Sequence, residues 1–254
     1  MRLENRSAII TGAASGIGRA AALHFCREGA RVLLADLDGD GAARAVSEIE
    51  EAGGCAEAIA ADISGEEGAR AVVARCRELW GGVDILVNNA AVFHYRRVED
   101  ATPADWDKVM AVNVVGTSLC SRFAIEAMKE SGSGAIVNIG SINGLIGMPD
   151  QFTYNASKAA IIEMSKSMAI DLGPFNIRVN CVCPGVTDTP ALQRTIDEMG
   201  LTVDAVIEGY IAPRCIIKRF GRAEEVAAVI AFLASEEASY MTGAVVVVDG
   251  GFTT

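Results

Sequence analysis

The sequence is poor in metal ligands. It has only two histidines, His24 and His94, which lie far apart in the chain. A zinc site needs several histidine, cysteine or carboxylate ligands close together, so we predict no metal site. The seven cysteines are scattered through apolar segments, and only Cys181 and Cys183 lie two residues apart. A strand would point both thiols to one face, so buried, reduced cysteines are the favoured interpretation.

Positive charge and long apolar runs are also scarce. The 33 acidic residues outnumber the 22 basic ones, which gives a formal net charge of −11. This charge argues against binding to nucleic acids and to anionic membranes. No apolar stretch is long and unbroken enough to cross a bilayer, and the start of the chain lacks the long apolar core of a signal peptide. We therefore expect a cytoplasmic protein without a membrane partner.

The chain instead shows a regular alternation of short apolar runs with longer helical patterns. It has 254 residues and no Pro-rich or Ser-rich linker, so we predict a single domain over residues 1–254. Seven buried strands separated by helices are typical of an α/β fold with a doubly wound, seven-stranded parallel sheet. The predicted strands are Ser7–Ile10, Arg31–Ala35, Ala56–Ala61, Val83–Val87, Ala135–Ile139, Arg178–Val182 and Ala244–Val248.

A glycine-rich turn follows the first predicted strand. It contains Gly12, Gly16 and Gly18, and the helical stretch Arg19–Glu28 comes directly after it. The backbone of such a turn can approach a pyrophosphate at the start of a helix. Asp36 ends the second strand about twenty residues on, where a carboxylate can accept both ribose hydroxyls and repel a 2′-phosphate. No lysine or arginine lies in the turn or directly after Asp36, so the pattern predicts NAD rather than NADP.

Tyr154 and Lys158 are four residues apart in a helical pattern, so their side chains share one face of the helix. An ammonium group beside a phenol favours phenolate and lowers a pKa that is about 10 in free tyrosine. The spacing therefore makes Tyr154 a candidate general acid/base. The same spacing is also common at an ordinary solvated helix edge, so the surrounding motifs decide between the two interpretations.

Several further motifs occur in order around this pair. They are Thr11-Gly12-x-x-x-Gly16-Ile17-Gly18, Asn88-Asn89-Ala90, Asn113, Ser141, Pro184-Gly185, Gly221–Glu225 and Thr242–Gly251. Their order and spacing resemble the short-chain dehydrogenase/reductase family over essentially the whole chain. The resemblance implies a Rossmann-type fold, hydride transfer between a secondary alcohol and a nicotinamide cofactor, and a homotetramer.

The resemblance also implies roles for individual residues. Tyr154 exchanges the proton, Ser141 orients the substrate oxygen, Lys158 holds the nicotinamide ribose, and Asn113 holds a water that links Lys158 to solvent. On sequence grounds alone, Ser141 is equally typical of a turn, and Asn113 is merely tolerated inside a helix. The residues implied to contact the cofactor are Gly12, Ser15, Gly16, Ile17, Gly18, Asp36, Asp62, Ile63, Asn89, Ala90, Tyr154, Lys158, Pro184, Gly185, Thr187 and Thr189.

Three positions leave room for alternatives or departures. Asp62 faces the adenine by resemblance, but its position after a strand is also typical of a helix N-cap. Thr187 stands where family members often have an apolar residue. Ala91 replaces the usual fourth residue of the Asn-Asn-Ala-Gly motif and adds a methyl group near the nicotinamide side.

The segment from about 186 to 215 is, by resemblance, a lid over the substrate. This segment, the residues just after it and the loop after the fourth strand carry a group of basic residues. One interpretation is a clamp for a carboxylate or other anion, and the other is solvated surface and ion pairs. The residues concerned are His94, Arg96, Arg97, Arg194, Arg214, Lys218 and Arg219.

The substrate class stays open at this point. The stretch Val179–Gly185 followed by Thr189-Pro190 resembles family members that act on small hydroxy acids, such as a cytosolic 3-hydroxybutyrate dehydrogenase. The lid is also rich in leucine, isoleucine and valine, which suits a ring or a longer carbon chain. Cyclic alcohols, sugars and their acids, and diols are therefore alternatives to a small hydroxy acid.

Two other functions are compatible with parts of the pattern. An NADPH-dependent 3-oxoacyl carrier reductase would use the same catalytic residues, although Asp36 suits NADPH poorly. A noncatalytic NAD-binding protein would keep the fold but would not need Asn113, Ser141, Tyr154 and Lys158 together.

Apolar residues on more than one face of three helical stretches predict burial between subunits. The stretches are Trp106–Met128, Thr153–Leu172 and Glu224–Leu233. Ala244–Val248 adds an apolar strand, which fits the homotetramer implied by the resemblance.

Overall fold

The computed structural model describes residues 1–254 and has a seven-stranded sheet whose neighbouring strands are all parallel. The strands are β1 (Ser7–Thr11), β2 (Arg31–Asp36), β3 (Cys55–Ala60), β4 (Ile85–Asn88), β5 (Gly134–Ile139), β6 (Ile177–Pro184) and β7 (Val245–Val248). Their order in the sheet is β3-β2-β1-β4-β5-β6-β7. Successive strands are added toward one edge up to β3 and toward the other edge from β4, and ligands bind at the point between β1 and β4 where this order reverses. The predicted fold is confirmed.

Helices cover both faces of this sheet. The helices are α1 (Gly16–Arg27), α2 (Gly39–Glu51), α3 (Glu66–Trp80), α4 (Pro103–Met110), α5 (Thr117–Ser131), α6 (Phe152–Leu172), α7 (Pro190–Glu198), α8 (Val203–Val206) and α9 (Ala223–Ala234). Side chains alternate between the two faces along a strand. Ile9 and Leu33 therefore lie in the core under α3, α5 and α6, whereas Ile10 and Leu34 lie in the core under α1, α2 and α9.

β6 continues two residues beyond its predicted end, to Pro184. Proline is tolerated there because the pairing with β5 ends at Val182, and Pro184 aligns only with Val248 of β7. A second, two-stranded pair joins Thr187–Asp188 to Gly221–Arg222 and was not predicted. Two residues per strand are too few to show an alternating pattern.

α4 and α5 form one long helical stretch that is interrupted by a π-helical segment, Ala111–Gly116. Its length and composition would suffice to cross a bilayer, so our expectation that no such stretch exists was wrong. In the structure one face of this stretch packs into the core and the other is exposed. Cys120 and Phe123 are buried in the core, and Ser121 donates a hydrogen bond to the Thr117 carbonyl at 2.7 Å.

A buried polar chain braces the sheet behind its carboxyl edge. Asn88 Nδ2 donates to Asn138 Oδ1 at 2.8 Å and to Ser121 Oγ at 3.0 Å. Asn138 Nδ2 in turn donates to Ser165 Oγ on α6 at 2.9 Å. Buried polar groups are costly unless paired, so this chain fixes β4, β5, α5 and α6 relative to one another.

Candidate active site

A single large cavity of about 1210 Å³ opens at the carboxyl edge of the sheet. It exceeds the roughly 300–1,000 Å³ of a usual small-molecule pocket, so it has room for two ligands. Only two predicted site residues, Gly18 and Asn113, lie behind its wall. The others line it: Gly12, Ser15, Gly16, Ile17, Asp36, Asp62, Ile63, Asn89, Ala90, Ser141, Tyr154, Lys158, Pro184, Gly185, Thr187 and Thr189.

The glycine-rich turn brings the start of α1 to the cavity. Gly12 and Gly16 have φ values of 66° and 56°, which favour glycine. A Cβ on Gly18 would lie 2.2 Å from the Gly12 carbonyl oxygen, so only glycine lets the helix approach the turn. Ser15 caps α1 without a side-chain hydrogen bond, which leaves the first helical N–H groups available to an anion. This turn fits a pyrophosphate group.

Asp36 lies at the end of β2 with its carboxylate held by the backbone. Oδ2 accepts from Ala14 N at 2.9 Å and Oδ1 accepts from Asp38 N at 3.0 Å. A carboxylate has about four acceptor positions, so both oxygens can still accept ribose hydroxyls. The nearest arginine of α2, Arg44, pairs instead with Asp38 at 3.8 Å.

Asp62 and Asn89 shape the walls on either side of this turn. Asp62 Oδ1 accepts from the Ser64 hydroxyl at 2.7 Å and from Ser64 N at 2.9 Å, which lowers the pKa of Asp62. The N-cap of α3 is Gly65, so the N-cap alternative for Asp62 is wrong. Asn89 Nδ2 donates to the Gly12 carbonyl at 2.9 Å and thereby holds the turn from the end of β4.

Thr11 is a contributor that the sequence analysis did not single out as a site residue. Its hydroxyl oxygen accepts from the backbone N–H groups of Asn89 and Ala90, both at 3.1 Å. Thr11 ends β1 and these two residues follow β4, so the hydroxyl joins the two sides of the switch point. A hydroxyl residue directly before the first glycine of the turn was the available signal.

Lys158 and Tyr154 lie side by side on α6, as their spacing predicted. Lys158 Nζ donates to the Ile139 carbonyl at 2.7 Å and lies 5.5 Å from the centre of the Tyr154 ring. Burial lowers the pKa of Lys158 to about 8. The charged amine is therefore held in a site that disfavours charge.

The predicted pKa shift of Tyr154 was wrong for the ligand-free protein. We expected Lys158 to lower it, but burial raises the pKa of Tyr154 to about 12, and the Ser141 hydroxyl offsets this only in part. Desolvation penalises the phenolate more than its polar neighbours stabilise it. Without ligands, Tyr154 is a neutral phenol at neutral pH.

Ser141 begins the short turn that links β5 to α6. Its hydroxyl donates to Asn143 Oδ1 at 3.2 Å and accepts from Asn143 N at 3.1 Å. Asn143 Nδ2 also donates to Asn155 Oδ1 at 2.8 Å and to Gln151 Oε1. The sequence analysis missed these three amide side chains. An asparagine two residues after a serine, typical of a hydroxyl-to-backbone turn, was a usable signal.

Asn113 lies in the π-helical segment and its side chain is occupied by protein groups. Oδ1 accepts from Val92 N at 2.7 Å, while Nδ2 donates to the Val92 carbonyl and to Ser157 Oγ, both at 3.0 Å. Ser157 Oγ in turn donates to the Tyr154 carbonyl at 2.8 Å. Asn113 thus ties the loop after β4 to α6. Its predicted water would have to bind the remaining Oδ1 lone pair or the main chain, since both amide hydrogens are used.

Aromatic side chains line the part of the cavity beyond Tyr154. Phe93 packs edge-on against Tyr154, with ring centroids 4.7 Å apart, and against Tyr95, at 4.6 Å. The Arg96 amide N–H donates to the Asp150 carbonyl at 2.7 Å and thereby holds their loop against the segment just before α6. Tyr210 lies across the cavity, where its hydroxyl donates to Met148 Sδ at 3.7 Å. Phe93 and Tyr95 lie in a loop and Tyr210 in a five-residue π-helical segment, Ile207–Ile211, so no periodic pattern revealed them in the sequence.

Comparison with known proteins agrees with this geometry. Residues 12–253 match the family model described as Enoyl-(Acyl carrier protein) reductase. The 2-(S)-hydroxypropyl-CoM dehydrogenase 3 of Xanthobacter autotrophicus is 38% identical over 252 residues, which cover 99% of this chain and 98% of that protein. The chain belongs to the short-chain dehydrogenase/reductase family. Members of this family use a nicotinamide cofactor.

Two further family members show the breadth of the match. The 3-oxoacyl-acyl-carrier-protein reductase of Thermotoga maritima is 38% identical over 251 residues, with 99% of each chain covered. The crystal structure of a short-chain type dehydrogenase/reductase from Mycobacterium marinum superposes with a TM-score of 0.92 at 33% identity, covering 99% of this chain and 96% of that one. The likeness extends over the full length.

The start of the segment that the family resemblance implies to be a lid closes against the glycine-rich turn. A Cβ on Gly16 would lie 3.3 Å from Thr189 Cγ2, and Thr189 caps α7 by accepting from Leu192 N at 3.3 Å. Thr187 is buried, and its hydroxyl donates to the Gly185 carbonyl at 3.0 Å. The Thr187 hydroxyl hydrogen is therefore not free for a ligand.

Most of the basic residues proposed as an anion clamp are engaged elsewhere. His94 Nδ1 lies 3.1 Å from Asp105 Oδ1, and Arg219 pairs with Glu225 at 2.7 Å. Arg96, Arg97 and Arg214 also have partners, namely Asp105, Glu99 with Asp150, and the Tyr210 ring, respectively. Lys218 is exposed and does not line the cavity. The surface interpretation holds for these six, which leaves Arg194, the one member of the set that lines the cavity.

Proposed function

We propose that this protein is an NAD-dependent dehydrogenase that interconverts a secondary alcohol and a ketone. The observation that carries the proposal is that one cavity joins the Asp36 carboxylate and the glycine-rich turn to Ser141, Tyr154 and Lys158. A nucleotide site and a proton-exchanging site in contact are what hydride transfer to a cofactor requires.

The residues present fit a nicotinamide dinucleotide. Asp36 would accept the hydroxyls of the adenosine ribose, the turn from Gly12 to Gly18 would bind the pyrophosphate, and Asp62 would face the adenine. Thr189 would cover the pyrophosphate, because it already packs over Gly16. The bound nicotinamide supplies the hydride acceptor or donor.

Tyr154 would exchange the proton of the substrate hydroxyl. In the direction of reduction, the neutral phenol supported by its pKa of about 12 gives its proton to the developing alkoxide. In the direction of oxidation it must be a phenolate, which a positive charge brought into the buried site would favour.

Ser141 and Lys158 would act through hydrogen atoms that the ligand-free site leaves available. The 3.2 Å bond from Ser141 to Asn143 Oδ1 is long for an O–H donor, so the hydroxyl can rotate to the substrate oxygen while still accepting from Asn143 N. Lys158 uses one N–H on the Ile139 carbonyl. Its other two can hold a ribose hydroxyl and pass a proton toward a water near Asn113.

The direct test is NADH formation by the purified protein with NAD and a panel of secondary alcohols. We expect turnover, and with any active alcohol NADP should support a kcat/KM at least about tenfold lower, since burial near Asp36 penalises a second anion. A 3-oxoacyl carrier reductase would instead favour NADPH and carrier-bound substrates. A noncatalytic NAD-binding protein would bind the cofactor but turn over no alcohol or ketone.

Asp36→Ala tests the cofactor preference. We expect the Kd for NAD to rise about ten- to a hundredfold, because two charge-assisted hydrogen bonds are lost. The Kd for NADP should rise much less or fall, and titration of each cofactor by protein fluorescence measures both. Asp38→Ala is the matched control, because its carboxylate caps α2 and it does not line the cavity. An unchanged NAD to NADP ratio in Asp36→Ala would refute the ribose role.

We further propose that residues 1–254 form one domain with a lid at about 186–215, and that the protein is a homotetramer. The assembly is supported by large apolar side chains left exposed on α6 and at the sheet edge. Ile170 is 77% exposed and Val247 is 40% exposed in the all-valine edge strand β7. An open, apolar strand edge favours cover by another chain.

A further inference from the structure

Arg194 differs from the other arginines around the cavity in having no protein partner. It lies in α7, lines the same cavity as Tyr154, and has no carboxylate within 4.0 Å of its guanidinium. By contrast, Arg97 pairs with Glu99 and Asp150, and Arg219 pairs with Glu225.

Arg194 has no ion-pair partner although two carboxylates lie nearby on its own helix. Asp197 and Glu198 lie three and four residues further on, which is the spacing of helical ion pairs. Neither pairs with Arg194. Asp188, at the start of the segment, is occupied by Gln193, whose Nε2 donates to Asp188 Oδ1 at 2.7 Å. Arg194 is an exposed residue that lines the cavity and has no counterion in a chain with a net charge of −11, so its guanidinium is available to a ligand.

The cavity that holds Tyr154 and Arg194 has many apolar lining residues. Among them are Phe93, Met148, Leu192 and Tyr210, of which the last three belong to one apolar cluster, and the Asn143 and Gln151 amides bond to each other. A substrate rich in hydroxyl groups would leave many of them unpaired there, which is costly. A hydrocarbon body has no hydrogen-bonding groups, so none would be left unpaired there.

We infer that Arg194 is the residue that selects the substrate, by binding a carboxylate at the far end of a hydroxy acid whose body is apolar. This inference rests on the proposed function. Guanidinium binds a carboxylate through two parallel N–H donors, so the contact would orient the hydroxyl toward Tyr154 as well as add affinity.

The test compares hydroxy acids with their uncharged methyl esters. Wild type and Arg194→Gln are assayed with 3-hydroxybutyrate and 4-hydroxycyclohexanecarboxylate and with the methyl ester of each. We expect wild type to prefer at least one acid over its ester. In Arg194→Gln the kcat/KM for that acid should fall about ten- to a hundredfold, mainly through KM, while the ester changes less than about twofold. Arg194→Lys should recover part of the loss.

Lys218→Gln is the matched control, because Lys218 carries the same charge and is exposed like Arg194 but does not line the cavity. This variant should leave the ratio of kcat/KM for the acid to kcat/KM for the ester unchanged. If Arg194→Gln leaves the ratio of kcat/KM for acid and ester unchanged, whether or not both values fall, the inference is overturned.

Failure of the inference can be told from failure of the proposed function. Turnover of neutral alcohols without any preference for an acid would overturn the role of Arg194 and leave the dehydrogenase intact. If no alcohol or ketone is turned over with NAD or NADP, the proposed function fails. The melting temperature in the presence of NAD then tests whether Arg194 binds a carboxylate. If an acid raises the melting temperature of the wild type but not that of Arg194→Gln, the inference is supported. If no acid raises it in the wild type, or if it rises equally in both, the inference is overturned.

Discussion

Tyr154→Phe is expected to lower kcat by about a thousandfold or more for any alcohol that the wild type oxidises, while the Kd for NAD changes less than about threefold. The substitution removes the only proposed proton acceptor in contact with substrate, and general acid/base groups contribute about 10²- to 10⁴-fold. The ring itself remains, so its edge contact with Phe93, at 4.7 Å between centroids, is preserved. Steady-state kinetics and cofactor titration of the purified variants measure both quantities.

Tyr95→Phe provides a closely matched control. Tyr95 also lines the cavity and also packs edge-on against Phe93, with ring centroids 4.6 Å apart. The same atom is removed from a ring in the same aromatic group, but no proton transfer is assigned to it. We expect kcat within about threefold of wild type. A Tyr154→Phe variant that retained a tenth of the wild-type kcat would contradict the proposed role.

Gly18→Ala should abolish cofactor binding at ordinary concentrations. The new Cβ would lie 2.2 Å from the Gly12 carbonyl oxygen and 2.5 Å from Asn89 Nδ2, so the turn and the end of β4 must move apart. Overpacking of this kind costs about 1–3 kcal/mol or more in the free energy of unfolding. We also expect the Kd for NAD to rise at least about a hundredfold, because the N–H groups of the turn lose their alignment.

Urea denaturation and NAD titration measure these two effects. Gly82→Ala serves as the control, since nothing lies within 4 Å of the added Cβ and the residue is not in the left-handed region. It should change neither quantity appreciably. If Gly18→Ala binds NAD as the wild type does, the close approach of α1 to the turn is not what forms the pyrophosphate site.

The sequence predicted the site residues whose position follows from being at the end of a strand. Each parallel strand is a short apolar run, and the residue after it must lie at one edge of the sheet, so Gly12 and Asp36 could be placed before any coordinates. The face shared by Tyr154 and Lys158 follows in the same way from helical spacing. These features depend on neighbours in sequence.

What the sequence did not reveal depends on neighbours in space. The pKa of Tyr154 is raised mainly by burial, and the hydrogen bond with the Ser141 hydroxyl lowers it only in part. The amide group of Asn143 meets Gln151 and Asn155 only because a turn folds back on α6. No pattern distinguishes Arg194 from the other basic residues, because the difference lies in which partner each side chain finds.

The buried position of Lys158 makes this fold less stable than it could be. Its pKa falls from 10.5 to about 8 on folding, so between these pH values the unfolded chain binds more protons than the folded protein. The free energy of unfolding therefore rises with pH across that window. At pH values below the window, burial of the charged amine lowers the free energy of unfolding by roughly 3 kcal/mol. The buried amine that we propose to bind the ribose therefore limits the stability of the fold, and mutations that raise stability at this position should lower activity.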